Sequence, residues 1–126
     1  CIYPANPFLK SKNLIKAFKI LKSNRQLDYV MTAIKFNHPI ERSFKIKKNK
    51  ILKKGKNIFY KKMTQDIKDS YHDGAQFYFS KSENWKKKKS ILSKNTFVIK
   101  LLETESHDID NPIDIEIAKL KYELNK

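Results

Sequence analysis

Two aspartates near the end of the chain have the spacing of a metal-binding pair. Asp108 and Asp110 are separated by one residue, and alternate residues of an extended segment point to the same side. A hard cation such as Mg²⁺ binds one or two carboxylates and completes its coordination with water and phosphate oxygens. The stretch also fits an acidic turn before a capped helix, because Asn111 suits the N-cap, Pro112 the first helical position and Asp114 the third. These residues alone leave both interpretations open.

Four other segments combine aromatic, amide and acidic side chains. They are residues 1–8 (CIYPANPF), 36–42 (FNHPIER), 64–67 (TQDI) and 71–78 (YHDGAQFY). In this order, and followed by the acidic pair, they resemble the nonulosonic acid cytidylyltransferases, the family that includes the CMP-sialic acid synthetases. The pseudaminic acid branch of that family is the most similar, since Tyr-Pro-Thr-x-Pro, Ser-Gln-Asp-Leu and Tyr-His-Asp-Ala-Gly-Gln-Phe-Tyr segments recur there. The resemblance covers essentially the whole chain.

The resemblance implies an enzyme that transfers CMP from CTP to a nonulosonic acid, a nine-carbon sugar acid, with release of pyrophosphate. Pseudaminic acid is the expected substrate, and the CMP-sugar product would serve surface glycan or flagellin glycosylation. Asp108 and Asp110 match the acidic pair of the family, so the resemblance assigns them a catalytic role as ligands of Mg²⁺. A CMP-N-acetylneuraminate or CMP-legionaminate synthetase stays as the alternative within the family.

The resemblance also implies a set of substrate-binding residues. They are Tyr3, Asn6, Gln65, Asp66, His72, Asp73 and Gln76. The chain departs from the family pattern at Ala5, where a Thr is usual, and at Met63, where an Arg is usual. Gly74 and Ala75 stand in the reverse order to the Ala-Gly of the pseudaminic branch. His107, which precedes the acidic pair, could be a partner of the metal-binding residues or a surface residue, and we expect the surface position.

The net charge of +15 raises a different class of function, a small basic nucleic-acid-binding module. Only Arg25 and Arg42 are arginines, so 26 of the 28 basic residues are lysines. Sites that read bases or clamp phosphates favour arginine, because its guanidinium donates two parallel hydrogen bonds. The lysine run at residues 86–89 fits a solvated loop or helix end. We therefore expect no nucleic-acid partner, although the positive potential would help to attract anionic CTP and the sugar acid.

Cysteine content and hydropathy predict the location. Cys1 is the only cysteine, which fits a reducing compartment. No apolar run approaches the ~18 residues that indicate a membrane-spanning helix. The expected location is the cytoplasm, with no membrane partner.

The start of the chain predicts a partial domain. Cys1 is not an initiator methionine, and the related enzymes carry an earlier segment with a glycine-containing phosphate loop that bears Arg and Lys. Gly55 and Gly74 are the only glycines here, and neither belongs to such a loop. The resemblance therefore implies that residues 1–126 are the carboxy-terminal portion of a single cytidylyltransferase domain, without its amino-terminal strands and inactive alone.

The spacing of apolar residues predicts an α/β fold. Strands are expected at residues 1–3, 28–34, 76–79 and 97–99, and helices at residues 12–23, around Trp85 and at residues 112–124. Ser11 and Ser82 are the expected N-caps of the first two helices. Strand, helix and strand joined by short connections predict a parallel β-α-β unit at the start of the chain. The last helix is expected to carry one apolar face, made of Ile113, Ile117, Leu120 and Leu124.

The resemblance implies a Rossmann-like nucleotidyltransferase layer with a mostly parallel sheet. Residues 42–69 interrupt this pattern with short apolar stretches separated by Lys, Asn and Gly, which predicts a projecting hairpin. The resemblance assigns this hairpin to contacts between the subunits of a homodimer.

Overall fold

A computed structural model describes residues 1–54 and 57–126 of the chain. These residues form two compact units. The first, called here the sheet unit, comprises Cys1–Ile34 and Asp73–Lys126, and the second, the hairpin unit, comprises Lys35–His72. The predicted site residues are divided between the two units.

The described residues form five strands, four α-helices and three short 3-10 turns. The strands are β1 (Tyr29–Lys35), β2 (Phe44–Lys47), β3 (Lys50–Lys54), β4 (Tyr71–Ser80) and β5 (Thr96–Leu101). The α-helices are α1 (Ser11–Ser23), α2 (Asn57–Tyr60), α3 (Ser82–Lys86) and α4 (Pro112–Leu124). The 3-10 turns are Ile40–Arg42, Thr64–Asp66 and Glu103–Glu105. The strands predicted at residues 28–34, 76–79 and 97–99 correspond to β1, β4 and β5, and β4 begins earlier than predicted.

β1 is the central strand of a three-stranded sheet with the order β4-β1-β5. It runs parallel to β5, with Tyr29 opposite Thr96 and Ile34 opposite Leu101. All residues of β1 before Lys35 are buried, which confirms the prediction of a strand covered on both faces. The described strands pair in both parallel and antiparallel directions, so the fold is mixed α/β.

The strand predicted at residues 1–3 is reduced to a single bridge. Ile2 pairs antiparallel with Phe77 of β4, and Tyr3 adds one backbone hydrogen bond, from its N–H to the carbonyl of Gln76. Pro4 follows and has no N–H to donate, so the ladder loses a donor there. The bridge to Phe77 places residues 1–3 beside β4, and β1 pairs with β4 and β5, so residues 1–3 and β1 are not adjacent strands as the predicted parallel β-α-β unit requires.

Helix α1 packs its buried side against the sheet. The main apolar cluster consists of Ala17, Leu21, Val30, Ile34, Phe77, Ile99 and Leu101. The predicted N-caps of α1 and α3 are each displaced by one residue, since Lys10 and Lys81 are the flanking residues and Ser11 and Ser82 are already helical. The two lysines have the extended backbone of an N-cap although lysine has no side-chain acceptor for the free N–H groups.

Helix α4 has the predicted bounds, and Asn111 is its N-cap. Asp114 occupies the third helical position, where its carboxylate accepts the N–H of Asn111 at 2.7 Å. Ala118 is the buried residue of this helix. Most of the predicted apolar face is exposed, namely Ile113, Leu120 and Leu124. Helical spacing shows which side chains share a face, but it does not show whether another element covers that face.

The hairpin unit contains β2 and β3, which pair antiparallel. Lys48 and Asn49 connect them with φ angles of 47° and 60°, the left-handed angles of a tight two-residue turn. The predicted hairpin at residues 42–69 thus has its strands at residues 44–54, and residues 55 and 56 of that range lie outside the described residues. None of the helices formed by the described residues is both long and apolar enough to cross a bilayer.

Candidate active site

The acidic pair lies on the connection between the third 3-10 turn and α4. Asp108 and Asp110 are exposed, whereas Ile109 between them is half-buried. This alternation is typical of an extended segment, in which neighbouring side chains point to opposite sides. Within the described part of the chain, neither carboxylate forms an ion pair.

Ile109 lines an apolar groove of the sheet unit. The groove has a volume of about 290 Å³, and its lining consists of Pro7, Phe8, Ile109, Ile115, Ala118, Lys119, Tyr122 and Glu123. Burial of an isoleucine side chain is favourable by roughly 1.5–3 kcal/mol when it is complete. Residues 105–111 are called here the acidic segment. The groove therefore holds Ile109, in this segment, and leaves the flanking carboxylates of Asp108 and Asp110 toward solvent.

Two side chains join the acidic segment to β4. Gln76, which is completely buried, donates from Nε2 to the carbonyl of Glu105 at 2.7 Å. Ser106, which is also buried, donates from Oγ to the carbonyl of Gly74 at 2.6 Å. Both hydrogen bonds meet the chain immediately before His107 and the acidic pair. The position of the pair relative to β4 therefore depends on buried polar contacts.

The other end of the segment is joined to α4. The carboxylate of Asp114 accepts the N–H of Asn111 at 2.7 Å and that of Asp110 at 2.9 Å. These two backbone donors hold the pKa of Asp114 below its usual value. Lys121 of α4 donates to the carbonyl of Ser106 at 3.0 Å. The acidic segment is thus hydrogen-bonded to α4 on both sides of the pair.

His107 is half-buried, so the expectation of a surface residue is wrong. Its side chain is 17% exposed, and Nε2 lies 3.8 Å from Oδ1 of Asp114. The Asp114 carboxylate that caps α4 thus faces both the backbone of the acidic segment and this ring.

A second group of polar side chains lies around Asp73, where the left-handed Ala75 interrupts the regular geometry of β4; residues 73–75 are called here the β4 turn. The rings of Tyr3 and Tyr78 meet edge to face at 5.6 Å, and their hydroxyls are 3.4 Å apart. The Tyr78 hydroxyl donates to Oδ2 of Asp73, and Oδ1 accepts the N–H of Ala75 at 2.9 Å. Burial raises the pKa of Tyr78, and the hydrogen bond to Asp73 raises it further. The phenol of Tyr78 therefore stays protonated and acts as a donor.

Asn6 reaches the same turn from the start of the chain. Its Nδ2 donates to the carbonyl of Ala75 at 2.7 Å, and its Oδ1 is buried without a hydrogen-bond partner among the described residues. Ala75 has a φ of 50°, in the left-handed region where an alanine is strained. A Cβ at Gly74 would lie 2.7 Å from Oγ1 of Thr32. The reversed Gly-Ala order thus places the smaller residue where space is limiting and the alanine where the backbone is unusual.

The hairpin unit carries the remaining predicted site residues. Gln65 and Asp66 lie in the second 3-10 turn and are exposed. Gln65 donates from Nε2 to Sδ of Met63 at 3.7 Å. His72 is exposed, and its ring lies 4.9 Å from that of Phe36. These three residues lie within one unit, and their side chains are exposed rather than part of a buried hydrogen-bond network.

Arg42 organises the backbone of the hairpin unit. Its Nε donates to the carbonyl of Phe59 at 3.0 Å and its Nη1 to Oγ1 of Thr64 at 3.1 Å. Its Nη2 donates to the carbonyl of Lys62. The guanidinium therefore contacts the residues on both sides of Met63, the position where the resemblance implies an arginine.

The donor set of the acidic pair fits Mg²⁺. Across the described residues, no group of three or more His, Cys, Asp or Glu side chains is arranged to enclose an ion. Magnesium does not need such a cage, since it keeps several waters and is held by one or two carboxylates together with substrate phosphates. The exposed carboxylates of Asp108 and Asp110 are the residues that would hold it.

Sequence reasoning missed Ser106 and Tyr78. Strict alternation along a strand would place residues 73 and 78 on opposite faces, but the left-handed Ala75 between them shifts the alternation. The hydrogen bond from Tyr78 to Asp73 therefore has no signal in residue spacing. Ser106 lies close to the acidic pair in sequence, yet a serine before a charged stretch predicts no particular partner.

The similar proteins found by comparison all carry the name pseudaminic acid cytidylyltransferase. No protein-family model matches the chain. Pseudaminic acid cytidylyltransferases of two strains of Campylobacter jejuni are 31% identical over 125 residues, which is 99% of this chain and 53% of each relative. A Helicobacter pylori protein named pseudaminic acid cytidylyltransferase and UDP-2,4-diacetamido-2,4,6-trideoxy-beta-L-altropyranose hydrolase is 34% identical over 113 residues, or 86% of this chain and 21% of that protein.

The matched region is almost the whole of this chain and only part of each relative. The chain spans about half the length of the Campylobacter relatives that it matches. At this level of identity, the chain is a homologue of the pseudaminic acid cytidylyltransferases within the nonulosonic acid cytidylyltransferase family.

Proposed function

We propose that this chain provides the metal-binding and sugar-binding part of an enzyme that transfers CMP from CTP to a nonulosonic acid, specifically pseudaminic acid. One observation carries the proposal: Glu105 and Ser106, just before the exposed Asp108–Asp110 pair, are hydrogen-bonded to Gln76 and Gly74 of β4, the strand that bears Asp73. The homology to enzymes named for this reaction supports the reaction class.

In the proposed reaction, a hydroxyl oxygen of the sugar acid forms a bond to the α-phosphorus of CTP. The bond from that phosphorus to the bridging oxygen of the β-phosphate breaks, pyrophosphate leaves with the electron pair, and the hydroxyl proton is lost to solvent. Bound Mg²⁺ supplies positive charge to the phosphate oxygens in such a transfer. Asp108 and Asp110 would hold the cation, and the hydrogen bond from the N–H of Asp110 to Asp114 would limit reorganisation of this segment during the reaction.

The sugar acid is bound beside the β4 turn. Tyr3 offers a partly exposed ring and a hydroxyl, and Asp73 is an exposed carboxylate that accepts hydrogen bonds. Asn6 has a buried acceptor, Oδ1, for which no described residue provides a donor. Hydroxyl and amide N–H groups of a nonulosonic acid are suitable donors for such acceptors. Gln65, Asp66 and His72 of the hairpin unit stay proposed substrate-binding residues.

The aromatic run of β4 does not supply the stacking surface that the nucleic-acid-binding alternative requires. A module that binds single strands places aromatic side chains on its surface for base stacking. Phe77 is 1% exposed, and Tyr78 and Phe79 are only partly exposed. The aromatic run of β4 thus belongs to the core and its margin.

The hairpin unit is proposed to form the contact in a homodimer. Its strands carry large apolar side chains that are 50–65% exposed, namely Phe44, Ile46, Ile51 and Leu52. Patches of this kind are typical of interaction surfaces. Sedimentation analysis of the protein with Ile46→Asp and Leu52→Asp tests this point, and we expect a shift from dimer to monomer. A monomeric wild type would exclude the homodimer.

The reaction is tested with the complete protein that contains this sequence. The protein is incubated with CTP, Mg²⁺ and one sugar acid at a time, and pyrophosphate release is measured. We expect turnover with pseudaminic acid and a kcat/KM at least about 100-fold lower with N-acetylneuraminic acid, since a polar site rejects analogues that leave its groups unpaired. Preference for N-acetylneuraminic or legionaminic acid would move the assignment to those synthetases, and salt-sensitive DNA binding without turnover would support the nucleic-acid module.

Asp110→Asn tests the metal-binding carboxylates in the same assay. We expect kcat to fall by about 10²–10³-fold, the range for loss of one stabilising group in a preorganised site, while the circular dichroism spectrum stays unchanged. Glu116→Gln is the matched control, because Glu116 is an exposed carboxylate on α4 whose only described partner is Lys119. Full activity of Asp110→Asn would remove the metal assignment.

A further inference from the structure

We infer that Gln76 and Ser106 are positioning residues for the acidic pair. This inference rests on the proposed function, because that function gives Asp108 and Asp110 their role as metal ligands. The hydrogen-bond geometry that supports the inference does not depend on the reaction. Gln76 was expected to bind substrate, yet its side chain is completely buried and its amide is directed to the acidic segment. It therefore acts through the segment that bears Asp108 and Asp110.

The two hydrogen bonds form a reciprocal link between the β4 turn and the acidic segment. Gln76 on β4 donates to the carbonyl of Glu105, and Ser106 on the segment donates to the carbonyl of Gly74. The two donors thus come from opposite partners: the carbonyl of Glu105 belongs to the residue before Ser106, and the carbonyl of Gly74 to the residue two positions before Gln76. Such a pair of hydrogen bonds fixes both the distance between β4 and the acidic segment and their relative direction, because the two are joined at two points.

The link is short and shielded from water. The N–O and O–O distances are 2.7 and 2.6 Å, and Gln76 and Ser106 are 0% and 3% exposed. Buried hydrogen bonds are not exchanged with solvent, so they constrain the segment more than exposed bonds do. The acidic pair follows within four residues of Ser106, before a new set of bonds to Asp114 begins. The carboxylates are therefore held between two fixed points.

The choice of glutamine at position 76 supports a positioning role. Gln76 Oε1 is buried without a hydrogen-bond partner among the described residues, and such an acceptor destabilises the fold because its hydration is lost and not replaced. A methionine would fill a similar volume without this penalty. The glutamine is thus a poor choice for core packing alone, and its amide donor is the group that distinguishes it.

Gln76→Met and Ser106→Ala test the inference, each with a matched control. Gln26→Met and Ser23→Ala change the same residue types at exposed positions of the same unit. The complete protein is ¹⁵N-labelled, and the heteronuclear NOE of residues 107–111 is measured without metal. We expect lower NOE values and faster hydrogen exchange at these residues in both test variants, with thermal unfolding of Gln76→Met close to that of the wild type.

Manganese affinity provides the second readout. Mn²⁺ alone is titrated, and broadening of the amide signals near Asp108 and Asp110 is recorded. We expect an apparent Kd about 10-fold weaker in Gln76→Met and Ser106→Ala, the lower range for loss of a group that orients a metal ligand, and no change in the controls. Unchanged NOE values together with unchanged affinity would overturn the inference.

The two readouts separate the inference from the proposed function. Broadening that is absent in the wild type, together with loosened residues 107–111 in the variants, would keep the positioning role and remove the metal assignment. Unaltered segments in both variants, with normal Mn²⁺ binding in all proteins, would keep the metal assignment and remove the positioning role. If Ser106→Ala alone fails to fold, Gln76→Met still decides the question, because it retains side-chain volume.

Discussion

The sheet unit and the hairpin unit both carry predicted site residues, but they hold them in different ways. In the sheet unit, Gln76 and Ser106 are buried donors that bind backbone carbonyls far away in sequence. In the hairpin unit, Gln65 and Asp66 are exposed, and the side chain of Gln65 donates to the sulfur of Met63, two residues away in sequence, at 3.7 Å. The comparison shows that the acidic pair sits on a preorganised frame, whereas the hairpin residues are presented on a local turn.

In the hairpin unit, a single side chain, that of Arg42, makes several of the hydrogen bonds that join its segments. Arg42 donates from three guanidinium nitrogens to the residues around Met63, and its own carbonyl accepts from the Tyr60 hydroxyl at 2.9 Å. In the sheet unit, several buried side chains make the hydrogen bonds that join its segments. The first consequence is a difference in how the two units respond to a single substitution.

The largest expected effect on stability is that of Arg42→Lys. Lysine cannot donate to three separate acceptors in this planar arrangement, and each hydrogen bond to a charged group contributes about 1.5–3 kcal/mol. We expect amides of the hairpin unit to lose about 2–3 kcal/mol of protection against hydrogen exchange while those of β1 and β5 stay unchanged. Arg25→Lys is the control, since Arg25 is exposed in the sheet unit. Equal protection in both variants would show that the hairpin unit does not depend on this guanidinium.

The next effect concerns the β4 turn, where one methyl group is enough to disturb the sheet unit. In Gly74→Ala the new Cβ would lie 2.7 Å from Oγ1 of Thr32, and overpacking of this kind costs typically about 1–3 kcal/mol. Urea unfolding should show this loss. Gln65→Ala in the hairpin unit is the comparison, and as an exposed substitution it should change stability by less than about 0.5 kcal/mol. Similar effects of the two substitutions would contradict the proposed difference between the units.

Ala75→Gly should act in the opposite direction. Ala75 has a φ of 50°, and the left-handed region costs a non-glycine residue roughly 1 kcal/mol. Because glycine also gains entropy in the unfolded state, the net stabilisation is expected to be below about 1 kcal/mol. Ala33→Gly, in the buried central strand, is the control and should destabilise. A loss of stability in Ala75→Gly would mean that the methyl group contributes packing that exceeds its strain.

The predictable parts of this fold are those in which local sequence and long-range contacts agree. Residues 112–124 form a helix because Asn111, Pro112 and Asp114 satisfy its first turn locally. β1 was predicted because an apolar run rich in β-forming residues is the pattern of a strand covered on both faces. In contrast, residues 1–3 have the composition of a strand, and their single antiparallel bridge depends on where β4 lies. The position of β4 in the fold cannot be predicted from the local sequence of residues 1–3.

The site shows the same division. The acidic pair itself was identified from spacing and resemblance, and the structure leaves both carboxylates exposed. The hydrogen bonds that hold the acidic segment were not predicted. Gln76 donates to a backbone carbonyl 29 residues away, and every residue has such a carbonyl, so the sequence does not show which one is the acceptor. The burial of His107 was missed for a related reason, since it depends on the carboxylate of Asp114 across the start of α4.

The smallest expected effect is the pH dependence of the link between Glu105 and Lys10. Their charged groups are 3.0 Å apart, and Glu105 also accepts the N–H of Leu102 at 3.2 Å. The Lys10 hydrogen bond, followed by that from Leu102, lowers the pKa of Glu105 in the folded state. A lowered folded-state pKa means that this carboxylate stabilises the fold fully above its unfolded pKa of about 4.3 and loses that contribution as the pH falls through the folded value.

Glu105→Gln should therefore be less stable than the wild type at pH 6, by less than about 1 kcal/mol because Lys10 is partly exposed. At a pH well below 4, the two proteins should approach the same free energy of unfolding, since the wild-type carboxyl is then neutral as well. Urea unfolding at the two pH values measures this convergence, with Glu116→Gln as the exposed control. A difference that persists unchanged at low pH would show that the glutamate acts through its hydrogen bond to Leu102 or its packing, and the charge of the acidic segment would then have no part in fixing it to the start of the chain.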